Sequence, residues 1–254
     1  MAPLPPAMSS SSWMTATVVD NFIAPPCMAA VRILYQDAQI LLIDKPSGLL
    51  SLSGKNPLNH DSVHQRLISG QLQGPFAAPD NAQQTSPFPD AALIHRLDFG
   101  TSGIMVVALT QAATIHLSRQ FQARTVVKSY IAILDGLLAD DDGEIALPIA
   151  KDKATFPRLR VCHHSGQPAH SSYQVVERLQ QPERSRVRFT PTTGRTHQLR
   201  IHSQAIGHPI LGCDLYANDH SQQRAERLLL HASDLHFDHP ASGQRHHGHS
   251  PCPF

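Results

Sequence analysis

The stretch GIMVVALTQAATIHLSRQFQAR, residues 103–124, joins a strand to a helix. Its first half is a run of apolar and mostly branched residues, which is typical of a buried strand. Thr110 follows that run, and its hydroxyl can accept a hydrogen bond from the first turn of a helix over residues 111–124. A strand that leads directly into a helix predicts a fold in which helices pack against a sheet.

Further strands are predicted on both sides of this stretch. Residues 31–48, VRILYQDAQILLIDKPSG, predict two strands that meet at a turn near Gln36 and Asp37 and end at a Pro-Ser-Gly turn. A second helix is predicted in the segment 194–209, where it ends at Gly207 with Pro209 just beyond. Because the elements interleave without strict alternation, we expect an α/β (α+β) fold, with a mixed, largely antiparallel sheet core and peripheral helices. The remaining strands are predicted at VVKSYIAILDG (126–136), SSYQVVERL (171–179), SRVRFTP (185–191) and LLLHASDLHFDHP (228–240).

Length and composition limit the class of protein. The chain has 254 residues, of which 41% are hydrophobic, and this is enough for a sizeable core. Its apolar runs are too short to span a bilayer, and four cysteines without a C-x-x-C pair predict reduced thiols in the cytoplasm. We expect residues 1–30 to form a disordered Pro/Ser-rich tail and residues 31–254 to form one domain. Residues 70–90 are expected to form a surface loop inserted in that domain.

The segment RHHGHSPC, residues 245–252, could suggest a metal site, because it holds three histidines and Cys252. A structural metal site normally draws its ligands from two halves that meet in the fold. No compact partner half is recognisable here, so we interpret the segment as a polar tail and predict no metal ligand.

Three arginines alternate with other residues in RSRVRF, residues 184–189. At strand periodicity this pattern predicts one basic face and one buried face. Arginine forks suit phosphate groups, so the basic face of Arg184, Arg186 and Arg188 could contact phosphate, or it could be an ordinary solvated face. The net charge of the whole chain is only +1, which by itself does not indicate a nucleic-acid-binding protein.

A single acid, Asp98, lies in HRLDFGTSG, residues 95–103. Small turn-forming residues follow it directly, and an aspartate in such a turn often accepts hydrogen bonds from nearby backbone N–H groups. The pattern alone leaves two interpretations open, a structural turn and a functional carboxylate.

Four motifs in a fixed order carry a resemblance to a known family. HRLDFGTSG resembles the central motif of the RluA family of pseudouridine synthases. The other three motifs are LLIDKPSGLLS (41–51), KSYIA (128–132) and GRTHQLRIHSQAIGHPILGCDLY (194–216). The resemblance covers residues 31–254, and VCHHSGQPAHSSYQVVE, residues 161–177, resembles the RluA branch itself. We expect no S4 RNA-binding module, because the residues before the core are too few to form one.

The resemblance implies isomerisation of uridine to pseudouridine in RNA. This reaction breaks the N1–C1′ bond, turns the base and joins C5 to C1′ with loss of the C5 proton. The isomerisation involves no redox change and needs no energy input, so no metal or organic cofactor is expected. Asp98 is implied to start the reaction by attacking the sugar or by removing a sugar proton to form a glycal, and both routes stay open. A retaining glycosidase would need a second nearby carboxylate, and we find no obvious partner acid beyond Asp44.

Other site residues follow from the same resemblance. Arg200 is expected to pair with Asp98 and keep it ionised. Tyr130 is expected to stack on the flipped base and to lie near the sugar or C5 as a proton acceptor. Arg96 is expected either to enter the space left by the flipped uridine or to contact phosphate at the surface. The residues expected to bind RNA are His95, Arg96, Arg195 and His197, together with Arg184, Arg186 and Arg188 of the basic strand.

The expected partners are stem-loops of RNA. The RluA branch acts on the anticodon stem-loop of tRNA and on 23S ribosomal RNA, and single-stranded loops cost little to unstack. The protein is therefore expected to be a monomeric, dual-specificity enzyme of the cytoplasm. The alternatives are a related synthase for another tRNA or ribosomal RNA uridine, a catalytically silent RNA-binding module and a metal-dependent hydrolase.

Overall fold

A computed structural model describes residues 22–73, 87–155 and 157–254. Four α-helices are described: α1 (Val63–Ser69), α2 (Gln111–Ala123), α3 (Gln198–Ala205) and α4 (Asp219–Gln223), and a short 3-10 helix covers Pro57–Asn59. The strands are β1 (Arg32–Gln36), β2 (Ile40–Lys45), β3 (Ala92–Leu93), β4 (Ser102–Ala108), β5 (Val127–Asp135), β6 (Asp142–Ile145), β7 (Ile149–Lys151), β8 (Leu159–Val161), β9 (Ser171–Gln180), β10 (Glu183–Pro191), β11 (Leu230–Asp238) and β12 (Arg245–His249).

Ten strands form one large sheet. Its main order is β1-β2-β4-β11-β5-β10-β9-β6, while β3 pairs with β4, β12 pairs with β11, and β7 and β8 form a separate hairpin. Within the described residues, the named strands pair antiparallel except for β4 and β11, which pair in parallel where Ser102 meets His231. The predicted mixed, largely antiparallel sheet with peripheral helices is confirmed.

The core lies in two parts on either side of the centre of the sheet. One part surrounds β2 and β4, whose residues are all buried, and includes Leu117 of α2. The second part packs Leu199 of α3 against Phe189 of β10. Tyr130 of β5 contacts both parts, so it lies where the two halves of the molecule meet.

The strand and helix predicted over residues 103–124 are both present. Thr110 caps α2, because its hydroxyl accepts a hydrogen bond from the N–H of Ala113 at 3.1 Å. The predicted start of the second helix at residue 194 is wrong, since α3 begins at Gln198. His197 adopts a left-handed conformation with φ of 58°, which α-helical geometry does not permit.

The predicted boundary of the N-terminal tail at residue 30 is also wrong. Arg66, whose side chain is buried, donates hydrogen bonds to the carbonyls of Cys27 at 2.6 Å and Ala29 at 2.7 Å. The ring of Phe22 packs edge-on against Phe99 with 5.3 Å between centroids. Residues 22–30 therefore pack against the domain. Residues 1–21 of the predicted tail and residues 74–86 of the predicted loop lie outside the described residues.

The C-terminal segment predicted as a polar tail is instead part of the sheet. Residues 245–249 form β12, which pairs with β11 from Asp234 to Asp238. The N–H of Ser250 then donates to the carbonyl of Ser233 at 2.8 Å. Backbone pairing, which side-chain composition does not show, decides the structure of this polar strand.

Among the described residues, no helix combines the length and the apolar character that a membrane span requires.

Candidate active site

Asp98 lies in the loop that leads into β4, and buried groups beneath the loop hold it in place. The ammonium of Lys45 donates to the carbonyls of Pro46 at 2.8 Å, Phe99 at 3.2 Å and Thr101 at 2.8 Å. Ser47 donates from its hydroxyl to the carbonyl of Gly100 at 2.7 Å. These bonds connect the end of β2 to the residues that follow Asp98. The backbone that carries the Asp98 carboxylate is therefore held in place.

Glycine is required where this loop enters the sheet. Gly103 has φ of 119°, and a Cβ there would lie 2.2 Å from the carbonyl oxygen of Ala232 on β11. The close contact between β4 and β11 thus depends on the last residue of HRLDFGTSG.

Lys45 is fully buried, and burial lowers its pKa to about 7. The negative charges of Asp98 and Asp44 oppose this effect in part, while Arg227 adds to it. The Asp98 loop therefore rests on a lysine whose charge is sensitive to pH.

Arg200 is buried in α3, and its direct partners differ from the predicted one. Its Nε donates to Cys213 Sγ at 3.3 Å, and its Nη2 forms an ion pair with Asp214. Burial opposes its charge, but Cys213, Asp214 and Asp98 together raise its pKa. Arg200 and Asp98 do not form the predicted ion pair. The guanidinium of Arg200 is paired with Asp214 instead, and the charge of Asp98 acts on the guanidinium from a longer distance.

Tyr130 projects from β5 toward the same site. Burial raises the pKa of its phenol well above the usual value, and the negative charge of Asp98 raises it further. The phenol is therefore protonated at neutral pH. It can donate a hydrogen bond and stack on a base, whereas proton acceptance requires that its own proton leave.

A small cavity of about 100 Å³ brings together the three residues predicted to be catalytic, Asp98, Tyr130 and Arg200. Among the described residues that line it, Asp98 is the only acid. A larger cleft of about 1320 Å³ shares Asp98, His197 and Arg200 in its walls. Its volume exceeds that of ordinary small-molecule pockets, as expected if the substrate is a polymer.

The cavity also contains three of the residues predicted to bind RNA. Arg96 is exposed, and its side chain forms no hydrogen bond or ion pair within the described part of the chain. Arg195 donates from Nε to the carbonyl of Pro168 at 3.1 Å. His197 Nδ1 lies 2.8 Å from the Tyr216 hydroxyl, and burial lowers the pKa of this histidine. Of these three residues, Arg96 is thus the one most available to a ligand.

The prediction for His95 is corrected. Its Nε2 accepts a hydrogen bond from the N–H of Val106 at 3.0 Å, and its ring stacks on Phe121 with 4.8 Å between centroids. Burial lowers its pKa to about 3, so the ring is neutral. His95 ties its own segment to β4 and α2 and offers no positive charge to phosphate.

The register of β10 shows which way the predicted basic strand faces. In the β5–β10 ladder, Tyr130 faces Phe189, so these two side chains share one face of the sheet. Arg184, Arg186 and Arg188 occupy the intervening positions and point to the opposite face. Arg186 also donates to the carbonyl of Phe254 at 2.6 Å. The alternation was predicted correctly, but the basic face lies away from Tyr130.

Sequence reasoning missed three supporting residues. Asp214 and Tyr216 contact Arg200, and Lys45 holds the Asp98 loop. All three lie within motifs recognised in the sequence: Lys45 in the motif of residues 41–51, and Asp214 and Tyr216 in the motif of residues 194–216. The motifs could therefore have indicated these residues. The acid considered as a partner, Asp44, is paired with Arg32 instead.

Comparison with known proteins assigns the family. Residues 39–205 match the sequence profile of RNA pseudouridylate synthase. The chain belongs to this family. The synthase therefore isomerises uridine to pseudouridine in RNA, and the predicted enzyme class is confirmed.

Individual relatives agree with this assignment. The synthase is 44% identical over 215 residues to the dual-specificity RNA pseudouridine synthase RluA of Yersinia pestis, covering 85% of this chain and 96% of the relative. It is 42% identical over 219 residues to the protein of the same name from Escherichia coli strain K12, covering 86% and 92%.

Solved structures show the same fold. Human RNA pseudouridylate synthase domain containing 1 superposes with a TM-score of 0.72 at 26% identity, covering 91% of this chain and 87% of that one. Human RNA pseudouridylate synthase domain containing 4 gives a TM-score of 0.65 at 25% identity, with 87% and 88% covered.

Proposed function

We propose that this synthase modifies uridines in stem-loops of both tRNA and 23S ribosomal RNA, and that Asp98 starts the reaction. The observation that carries the catalytic part is the small cavity in which Asp98 is the only acid among the described lining residues, beside Tyr130 and Arg200. The dual specificity is supported by relatives named dual-specificity RNA pseudouridine synthases that are 44% and 42% identical to this chain.

The single carboxylate suits an isomerase better than a retaining glycosidase. A retaining glycosidase places a second carboxyl group about 5 Å from the first. The next acid of the site, Asp214, is paired with Arg200 and is not available as an acid–base partner. One free carboxylate is enough for isomerisation, because the departing base stays bound and becomes the incoming nucleophile.

Asp98 can begin the reaction by either of two balanced routes. In one, a carboxylate oxygen bonds to C1′ while the N1–C1′ electron pair leaves with the uracil. In the other, the carboxylate removes the C2′ proton, and loss of the uracil leaves a glycal. In the first route C5 then bonds to C1′ as the ester bond between C1′ and Asp98 breaks, which restores the free carboxylate. In the second, C5 bonds to C1′ of the glycal as Asp98 returns its proton to C2′. Release of the C5 proton then restores the conjugated ring of the base.

Tyr130 and Arg200 prepare the site for these steps. The neutral phenol of Tyr130 supplies a flat, partly buried surface on which the detached uracil can stack while it turns. The guanidinium of Arg200, held by Asp214 and Cys213, places a fixed positive charge on the wall of the cavity that also contains Asp98.

The target uridine must leave its stack before C1′ and C5 can be rearranged. Arg96 is exposed at the mouth of the cavity and has no partner among the described residues. We therefore assign it to the space left by the flipped uridine or to the adjoining phosphate, with Arg195 and His197 near the same RNA strand.

Release of tritium from C5-labelled uridine tests the proposal. The substrates are an anticodon stem-loop of about seventeen nucleotides and a fragment of 23S ribosomal RNA, since a compact enzyme recognises the loop and adjoining stem. We expect both RNAs to be modified. The synthase is proposed to act as a monomer and to work in the cytoplasm. Release from only one RNA would contradict dual specificity, and an inert stem-loop beside active full-length RNA would contradict stem-loop recognition.

A further inference from the structure

The edge of the sheet that β12 forms carries a cluster of metal-ligating side chains away from the active site. His247 and His249 are two residues apart on this strand, so both point to the same face. The register with β11 pairs His249 with Asp234 and His247 with His236. Four side chains with ligand atoms thus share one face of two paired strands.

Two of the imidazoles converge on one carboxylate oxygen. Asp234 Oδ1 lies 3.0 Å from His247 Nε2 and 2.8 Å from His249 Nδ1. The three atoms all lie within 4.8 Å of one another. The His236 ring stacks on His247 with 4.2 Å between centroids and 3° between planes, which supports the orientation of His247.

The distances and exposure suit a shared ion. Metal bonds to nitrogen and oxygen ligands are about 2.1 Å long, so two ligand atoms on one ion lie roughly 4 Å apart or closer. The side chains of His247 and His249 are 51% and 54% exposed, whereas that of Asp234 is 21% exposed. The histidines can therefore move the remaining distance without repacking the core, and an ion can enter from solvent.

We propose that Asp234, His247 and His249 bind one divalent transition-metal ion of the Zn²⁺, Co²⁺ and Ni²⁺ class. Imidazole ligands favour these ions, whereas Mg²⁺ and Ca²⁺ prefer sites made entirely of oxygen. Three protein ligands leave a coordination position for water. The ion would take no part in the pseudouridine chemistry itself, and it would link β12 to β11.

Such a link also affects one wall of the cleft. The chain leaves β12 and runs through Pro251 and Pro253, which line the large cleft that contains Asp98. An ion that holds β12 in place therefore restrains the segment that carries these two prolines.

The test is metal titration of the full-length chain, without an affinity tag and stripped with EDTA. Isothermal titration with Zn²⁺ and visible absorption with Co²⁺ should both show one equivalent bound, and Zn²⁺ should raise the thermal midpoint. His247→Gln, His249→Gln and Asp234→Asn should each weaken binding by about tenfold or more.

His246→Gln is the matched control, because His246 lies on the opposite face of β12 and its ring packs against Tyr35 at 4.9 Å. It should retain wild-type affinity. Thermal midpoints of the metal-free variants show whether each is folded. The proposal is overturned if folded His247→Gln binds as tightly as wild type, or if His246→Gln loses as much affinity as His247→Gln.

Discussion

Arg200 forms its ion pair with Asp214, and this leaves the carboxylate of Asp98 without a hydrogen bond or ion pair to any side chain in the described part of the protein. A carboxylate that is held by its backbone loop but not bonded at its oxygens is available to react. Arg200 therefore acts on Asp98 as a fixed positive charge rather than as a clamp.

Arg200→Lys should lower the turnover rate by at least about a hundredfold with little change in KM. Lysine keeps a charge but cannot bond to Asp214 and Cys213 together, so the charge is no longer fixed. Single-turnover tritium release measures the rate. Asp214→Asn is the companion variant, and it should lower the rate less, because the guanidinium remains. Equal rates in wild type and Arg200→Lys would show that the position of this charge does not matter.

Tyr130→Phe and Tyr130→Ala should separate stacking from the phenolic hydroxyl. The Phe variant keeps the ring but loses the hydrogen bond that the phenol can donate, so KM should stay near the wild-type value while the rate falls about tenfold, the effect of about 1.4 kcal/mol. The Ala variant should also raise KM, because base stacking is lost. Steady-state kinetics on the stem-loop checks both. An unchanged rate in Tyr130→Phe would leave the hydroxyl without a chemical role.

Lys45 should make stability depend on pH. Its pKa is about 7 in the folded chain, below the ordinary value of 10.5, so between these values the unfolded state binds more protons. Stability due to this group should therefore rise as pH increases through that window. Denaturant unfolding of wild type and Lys45→Met at pH 7 and pH 9 tests this.

The advantage of the wild type over Lys45→Met should be larger at the higher pH. A constant difference would mean that Lys45 keeps its ordinary pKa in the folded chain. Lys45→Met should also slow turnover, because the carbonyls of Phe99 and Thr101 in the Asp98 loop and that of Pro46 after β2 lose their donor.

The two arginine groups should differ in RNA binding. Arg96→Ala should weaken binding and reduce the salt slope by a little under one unit, as expected for one lost phosphate contact. Arg188→Ala, on the face of the sheet opposite Tyr130, should leave both unchanged. Filter binding of the stem-loop at several salt concentrations measures the slope. A larger effect from Arg188→Ala would place RNA on the opposite face.

Local patterns predicted much of the fold. Thr110 and the apolar run before it defined β4 and α2, and the alternation of RSRVRF defined the buried face of β10. These features depend on neighbours in sequence. The direction of the basic face was not predictable, because it depends on the register between β5 and β10, which lie far apart in the chain.

Features that depend on distant partners were missed for the same reason. The polar composition of β12 conceals a strand, since its backbone pairs with β11 and its side chains remain partly in solvent. His95 looked like a site residue, but the stacking of its ring on Phe121 is a tertiary contact. Asp98, Tyr130 and Arg200, each taken from a separate motif, line one cavity, whereas the pairing of Arg200 with Asp214 is a tertiary contact that the motifs do not show.

Asp98→Asn tests whether the reaction begins at this carboxylate. The amide has nearly the shape of the carboxylate but is neither a competent nucleophile nor a base, so the variant should fold and bind the stem-loop as wild type does. Tritium release should fall by at least about three orders of magnitude. Substantial release by a folded Asp98→Asn variant with normal RNA affinity would contradict the account, because the reaction would then not begin at this carboxylate.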